Sequence, residues 1–201
     1  MTTLRKFGAA AVVAAALAPQ TAHAAMLNVV EVSAPQINCV FNTECTIRVS
    51  DSIGAFTPPG DTGAARVQSR TLDGTAPAPG AGLKGFLYRV DMTPAQAIGP
   101  ANCVTGLALD FGPVMPLPYS PKGASDVYVI TTGGLGTVGL ASAIQTGRVI
   151  TFTFASPVCP GETSRFFGLA SKSTTPAPSL ATVTFSLGGS ATTDDRVPSA
   201  K

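Results

Sequence analysis

Phe86-Leu87-Tyr88-Arg89-Val90-Asp91-Met92 alternates from end to end. Phe86, Tyr88, Val90 and Met92 fall on one side, and Leu87, Arg89 and Asp91 on the other. Side chains of an extended chain point alternately to opposite faces, so this run predicts a strand with one face on a core and one toward water. The same period returns in residues 103–111, where Leu107, Leu109 and Phe111 point inward and Asp110 outward. It returns again in residues 149–154, with Ile150, Phe152 and Phe154 inward against Thr151 and Thr153. Residues 27–34, 46–49, 66–72, 125–131, 165–170 and 182–187 complete about nine short strands. Residues 66–72 are polar enough to lie at a sheet edge.

Short strands separated by Gly, Pro and Ser, with no intervening helical pattern, indicate an all-β chain. The expected architecture is an antiparallel β-sandwich, jelly-roll or Ig-like, over residues 25–187. One short helix is expected at residues 94–98, with Thr93 as N-cap and Pro94 at the first position. Residues 140–144 also admit a helical turn. The Pro/Gly/Ala-rich segments 57–63, 73–82 and 112–123, with the Ser/Thr-rich segment 171–179, read as surface connections. Residues 188–201 read as a flexible polar tail.

Residues 1–24 read as a signal peptide. Arg5 and Lys6 supply the positive start, residues 8–18 a short apolar stretch, and Ala22-His23-Ala24 a small-x-small cleavage pattern. Cleavage after Ala24 predicts a secreted or periplasmic bacterial protein with no transmembrane segment in its mature chain. It also lowers thirteen Lys/Arg to eleven, equal to the eleven Asp/Glu. A chain of zero formal charge has no basic field for nucleic acid. His23, the one histidine, departs with the leader, and the sequence has no Trp. Ser-His-Asp and Cys-His catalysis and His-ligated metals are thereby excluded from the mature form.

Four cysteines behind a signal peptide point to two disulfides with three alternative pairings. Spacing favours Cys39–Cys45, read as a staple across a turn between two strands, with Cys103–Cys159. Six positions and no histidine match neither a redox CxxC nor a zinc finger.

Candidate chemistry is sparse. Asp91 and Asp110 stand on outward faces of two strands that would be neighbours if they formed the acid pair of a hydrolase; solvated surface charge is the simpler reading. Asp194-Asp195 reads the same way. Tyr119 among the prolines of 112–123, with Asp61, Asp73 and Asp126 in or beside loops, forms the candidate ligand-loop set. Calcium, which takes oxygen ligands, is the one metal open to these aspartates and to Asp51; otherwise no cofactor is expected. Cys159-Pro160-Gly161-Glu162-Thr163-Ser164 reads as a turn.

Val149-Ile150-Thr151-Phe152-Thr153-Phe154, Pro160-Gly161-Glu162-Thr163-Ser164 and Phe166-Phe167-Gly168-Leu169-Ala170-Ser171 carry a resemblance. With the closing Arg196-Val197-Pro198, they resemble bacterial exported β-sandwich domains of unknown activity that precede a C-terminal sorting anchor. The sequence to Lys201 holds no such anchor, and the resemblance implies no catalytic residue. The leading expectation is an exported, non-enzymatic protein with a structural or adhesive role, associating with itself or with a cell-surface partner. A periplasmic or extracellular ligand-binding module using the Pro-rich loops is the first alternative. A carboxylate-based hydrolase is the second.

Overall fold

The computed structural model describes residues 23–46, 48–121 and 123–199. The signal-peptide expectation falls almost wholly on residues 1–22, outside those described. Two six-stranded sheets hold most of the chain. The first orders β1 (Ala24–Met26), β12 (Leu140–Thr146), β13 (Val149–Val158), β8 (Val104–Asp110), β15 (Pro176–Phe185) and β16 (Ser190–Pro198). The second orders β2 (Val29–Ser33), β11 (Val127–Thr132), β14 (Phe167–Ser171), β6 (Lys84–Asp91), β5 (Ala65–Asp73) and β3 (Val49–Phe56). Two small ribbons pair β4 (Asp61–Thr62) with β7 (Gln96–Ala97) and β9 (Leu117–Ser120) with β10 (Gly123–Ser125).

The alternation read from the sequence aims these strands as expected. Phe86, Tyr88 and Val90 from the second sheet share one buried cluster with Leu107, Leu109, Ile150, Phe152 and Val183 from the first. Phe152 and Phe167 meet across it with ring centroids 4.8 Å apart. Cys103–Cys159 links the chain just before β8 to the chain just after β13, and Cys39–Cys45 closes the second bridge.

Several expectations change. Sixteen strands replace nine among the described residues, because the Pro/Gly segments themselves carry short pairs. One pairing is parallel rather than antiparallel, β2 with β11. The third strand runs over Val49–Phe56 rather than residues 46–49, and β5 is flanked by β3 and β6, so β3 takes the edge. Residues 94–98 turn into β7 instead of a helix, because Gln96 and Ala97 find rungs on Thr62 and Asp61. Residues 140–146 form β12, held against β13 along its length. Residues 190–198 are no tail. They pair with β15 through nine successive residues, and Thr193, Asp195 and Val197 are buried.

The Cys39–Cys45 staple does not join two strands either, since Cys39 lies in helix α1 (Ala34–Phe41). The Ser33 hydroxyl accepts from the Gln36 N–H, Pro35 occupies the first turn, and Ile37, Val40 and Phe41 repeat at helical spacing. That stripe lies on the outer face of the second sheet, over Leu87. Leu87, expected to face water, is therefore 4% exposed. Phe41 seats its ring where Gly85 has no side chain, since a Cβ there would stand 2.7 Å from Phe41 Cζ. The 73–82 segment closes the helix end: Thr75 N–H donates to the Phe41 carbonyl at 2.9 Å and Gly80 N–H to the Val40 carbonyl at 2.8 Å. It is a socket rather than a simple surface connection.

The two sheet seams are closed by the chain itself. At one seam the segment passes from β1 to β2 across Leu27 and Asn28. At the other, β16 packs on β3 so tightly that a Cβ on Gly54 would lie 1.9 Å from the Asp194 carbonyl oxygen. Arg196 reaches across this seam to the Ser50 and Ser69 carbonyls. Among the described residues no helix is long and apolar enough to cross a membrane.

Candidate functional site

Beyond the end of β8 and the end of β14 a cavity reaches the edge of the inter-sheet core. Phe111, just past β8, is 1% exposed and belongs to the inner cluster, yet it also forms part of a cavity wall. Pro113, Met115 and Pro198 extend that apolar surface, and Ser171, Ser173, Ser199, Arg148 and Lys172 complete the rim. The volume is about 330 Å³, within the lower range of small-ligand sites. A second, more open hollow adjoins it through the shared Pro113 and Arg148 and includes His23, Ala25 and Gln145.

Local chemistry explains how each wall is held. β12 and β13 are joined by Gly147-Arg148, with Thr146 paired to Val149. Gly147 has φ 60°. A glycine at the first central position of a two-residue hairpin is the type II′ arrangement, which suits the twist of paired strands. It puts Arg148 at the tip of the hairpin. Gly112 N–H donates to the Arg148 carbonyl at 2.8 Å, tying the end of β8 to that tip. Gly112 has φ 80°, and its bare face receives the guanidinium; a Cβ there would lie 3.2 Å from an Arg148 terminal nitrogen. Met115 N–H donates to the Ala170 carbonyl at 2.9 Å, pinning the 112–116 segment to β14. Ser199 N–H donates to the Thr175 carbonyl at 3.0 Å, and the Ser173 and Ser199 hydroxyls meet at 2.8 Å.

Arg148 uses Nε on the Asp110 carboxylate at 2.9 Å. Among the described residues its terminal nitrogens and the exposed Lys172 ammonium have no hydrogen-bonding or ion-pair partner. The rim thus sets two cations against one acid above an apolar floor.

The ligand set read from sequence lies elsewhere and does not converge. Tyr119 sits on β9, fully buried beneath α1, its ring centroid 4.6 Å from that of Tyr128. Its phenol is pushed well up, by burial first and by the Asp126 charge to a lesser degree. Asp126 is therefore its neighbour, and accepts from the Asn28 N–H at 2.8 Å. Asp73 ends β5 in an ion pair with Lys84. Asp61 lies on β4, 8% exposed and opposite Ala97. No group of three acidic, His or Cys residues able to hold a metal occurs among the described residues. Asp91 and Asp110 are not neighbours: β6 and β8 belong to different sheets. Asp91 accepts from the Thr93 hydroxyl at 2.6 Å. Glu162 accepts from the Cys159 N–H at 2.9 Å, which makes 159–164 the expected turn.

Asp195 was expected in water and is instead 4% exposed. Burial raises its carboxyl to about 6, against the smaller opposing effects of the Arg196 N–H, the Ser69 hydroxyl and the Arg196 charge. It stands at the β16 seam, away from the cavity residues.

Sequence reasoning missed Arg148 and Lys172. The Gly147-Arg148 pair between two alternating runs was the available signal, because it marks a hairpin tip. Nothing in the sequence links Lys172 to it, since their shared cavity depends on where β14 ends and β15 begins. No family model, curated protein or solved structure matches the chain.

Proposed function

We propose that this is a non-catalytic binding protein of the periplasm or cell exterior, a β-sandwich of jelly-roll or Ig-like type that holds a small ligand between its loops at one end. The observation that carries this reading is the cavity whose apolar floor joins Phe111 of the inter-sheet core to Met115, which packs on the outer cluster. Phe111, Pro113 and Met115 line it from the segment after β8, and Ser171 to Ser173 from the connection between β14 and β15. Segments 112–123 and 171–179 are two of the loops the sequence singles out. Loops on a rigid scaffold are a recurrent place for recognition, and two disulfides with closed seams supply the rigidity here. Export is supported by the leader pattern and by four paired cysteines.

The test is an uncharged fluorescent probe, N-phenyl-1-naphthylamine. It binds the intact protein with enhanced emission, and a Met115→Trp variant, whose larger side chain fills the cavity, loses that binding while keeping its near-ultraviolet circular dichroism. A folded protein that leaves the probe's emission unchanged overturns the reading.

A structural or adhesive role is the second reading, and the outer face of the first sheet favours it. Thr182, Ala108, Thr151 and Ile144 form a row across four strands of that face, and no helix among the described residues covers it. Leu180 and Val149 stand exposed on the same sheet.

A further inference from the structure

We infer that the loop-end cavity selects a small amphipathic anion, a monocarboxylate with an apolar body. The inference rests on the binding reading above and names the ligand class for that site. Three observations carry it.

The floor is apolar and rigid. Phe111 is anchored in the inner cluster, and Pro113 and Pro198 have fixed φ, so an alkyl or aryl body meets a preformed surface. The rim is cationic. Arg148 spends Nε on Asp110 and turns its other nitrogens toward Gly112, where no side chain intervenes. Lys172 brings the second positive charge, and among the described residues Asp110 is the one carboxylate bonded there. One positive charge remains to be matched, which suits a monoanion better than a neutral molecule or a cation. The polar wall is already satisfied. Ser173, 8% exposed, bonds Ser199 and the Thr175 carbonyl, so those hydroxyls do not demand a many-hydroxyl ligand such as a sugar. Among the described residues no aromatic ring other than Phe111 lines the cavity, which leaves little stacking platform for sugars as well.

The carboxylate therefore sits between the free guanidinium nitrogens and the ammonium, held by charge-assisted hydrogen bonds. The body lies along Phe111, Met115 and Pro198. Acetate has too little body to gain from the floor, and octylamine carries the wrong charge.

Displacement of the uncharged probe separates this inference from the reading beneath it. Octanoate displaces the probe about tenfold more tightly than octanol, the size of one charge-assisted contact. Octylamine and acetate displace it poorly, and added salt weakens octanoate but not octanol. Arg148→Gln and Lys172→Gln each reduce octanoate affinity severalfold and bring the ratio of octanoate to octanol affinity toward one. A protein that binds the probe but takes octanol as well as octanoate overturns the anion inference and leaves the cavity a binding site. A protein that never binds the probe fails at the earlier step.

Discussion

The inner cluster has a six-stranded sheet on each side. The outer cluster has the same second sheet below it, but above it only an eight-residue helix, the four residues of β9 and the 73–82 segment. Both bury large aromatic side chains completely: Phe152 and Phe167 inside, Phe41, Tyr119 and Tyr128 outside. Both hold buried phenols, but the inner one is bonded and the outer two are not: Tyr88 donates to the Arg196 carbonyl at 2.9 Å, while the Tyr119 and Tyr128 hydroxyls have no partner among the described residues. At the margin of the inner layer Asp195 adds a carboxyl that burial raises to about 6. A sheet on both sides fixes packing through many backbone rungs, so an inner side chain has little room to adjust. A short helix and a loop can settle, so the outer cluster tolerates change better.

Truncation tests that contrast most strongly. Phe152→Ala costs about 4 kcal/mol and Phe41→Ala about 3 kcal/mol, because the 73–82 segment that carries Gly80 relaxes into part of the space. Urea unfolding measures both, and equal costs would erase the distinction. The disulfides divide the same way. Replacing Cys103 and Cys159 together by Ser costs about 4 kcal/mol, since that bridge closes a long ring; replacing Cys39 and Cys45 costs about 2 kcal/mol. Thermal melts of the two double variants rank them.

Asp195 sharpens the comparison through pH. Its folded carboxyl titrates near 6 against an ordinary 3.8. The folded state holds the proton over that window, so stability falls as pH rises from 4 to 6 and the penalty is complete above it. Asp195→Asn removes this slope and gains on the order of 3 kcal/mol at pH 7. Denaturation midpoints at pH 4, 5, 6 and 7 reveal the slope or its absence. The smallest effect belongs to the outer cluster. The Tyr128 hydroxyl is buried, packs over Gly168 and has no hydrogen-bond partner among the described residues. Tyr128→Phe therefore leaves stability unchanged or raises it by about 1 kcal/mol, and a loss of that size would reveal a partner for the hydroxyl.

The same contrast separates what the sequence made legible from what it hid. Strands with one wet face alternate plainly in burial as well as in sequence, as in 149–154. On the second sheet the outer face is also covered, which alternation alone does not reveal, so Leu87 and Tyr119 lie buried where the sequence pattern points to water and to a loop. The helix that covers them left a signal in Ser33-Ala34-Pro35-Gln36, a cap followed by a first-turn proline, but eight residues are too few for a strong helical period. β16 was hidden for another reason. Thr192, Asp194 and Arg196 make it polar, and what holds it is the nine-residue ladder to β15 and the clasp on β3, neither of which is local in sequence. The cavity was legible in its loops and illegible in its charges, because Arg148 and Lys172 come from separate strand ends.

The positions of the first and last strands carry a mechanical consequence. β1 and β16 are the two outermost strands of one sheet, so tension applied through the chain ends enters the fold at opposite seams. β16 resists with nine paired residues and the Arg196 clasp, β1 with three at most, and with Ala25 and Met26 alone once the chain is cleaved after Ala24. Under a pull the N-terminal seam yields first, peeling back to the parallel rungs of β2 while the C-terminal seam still holds.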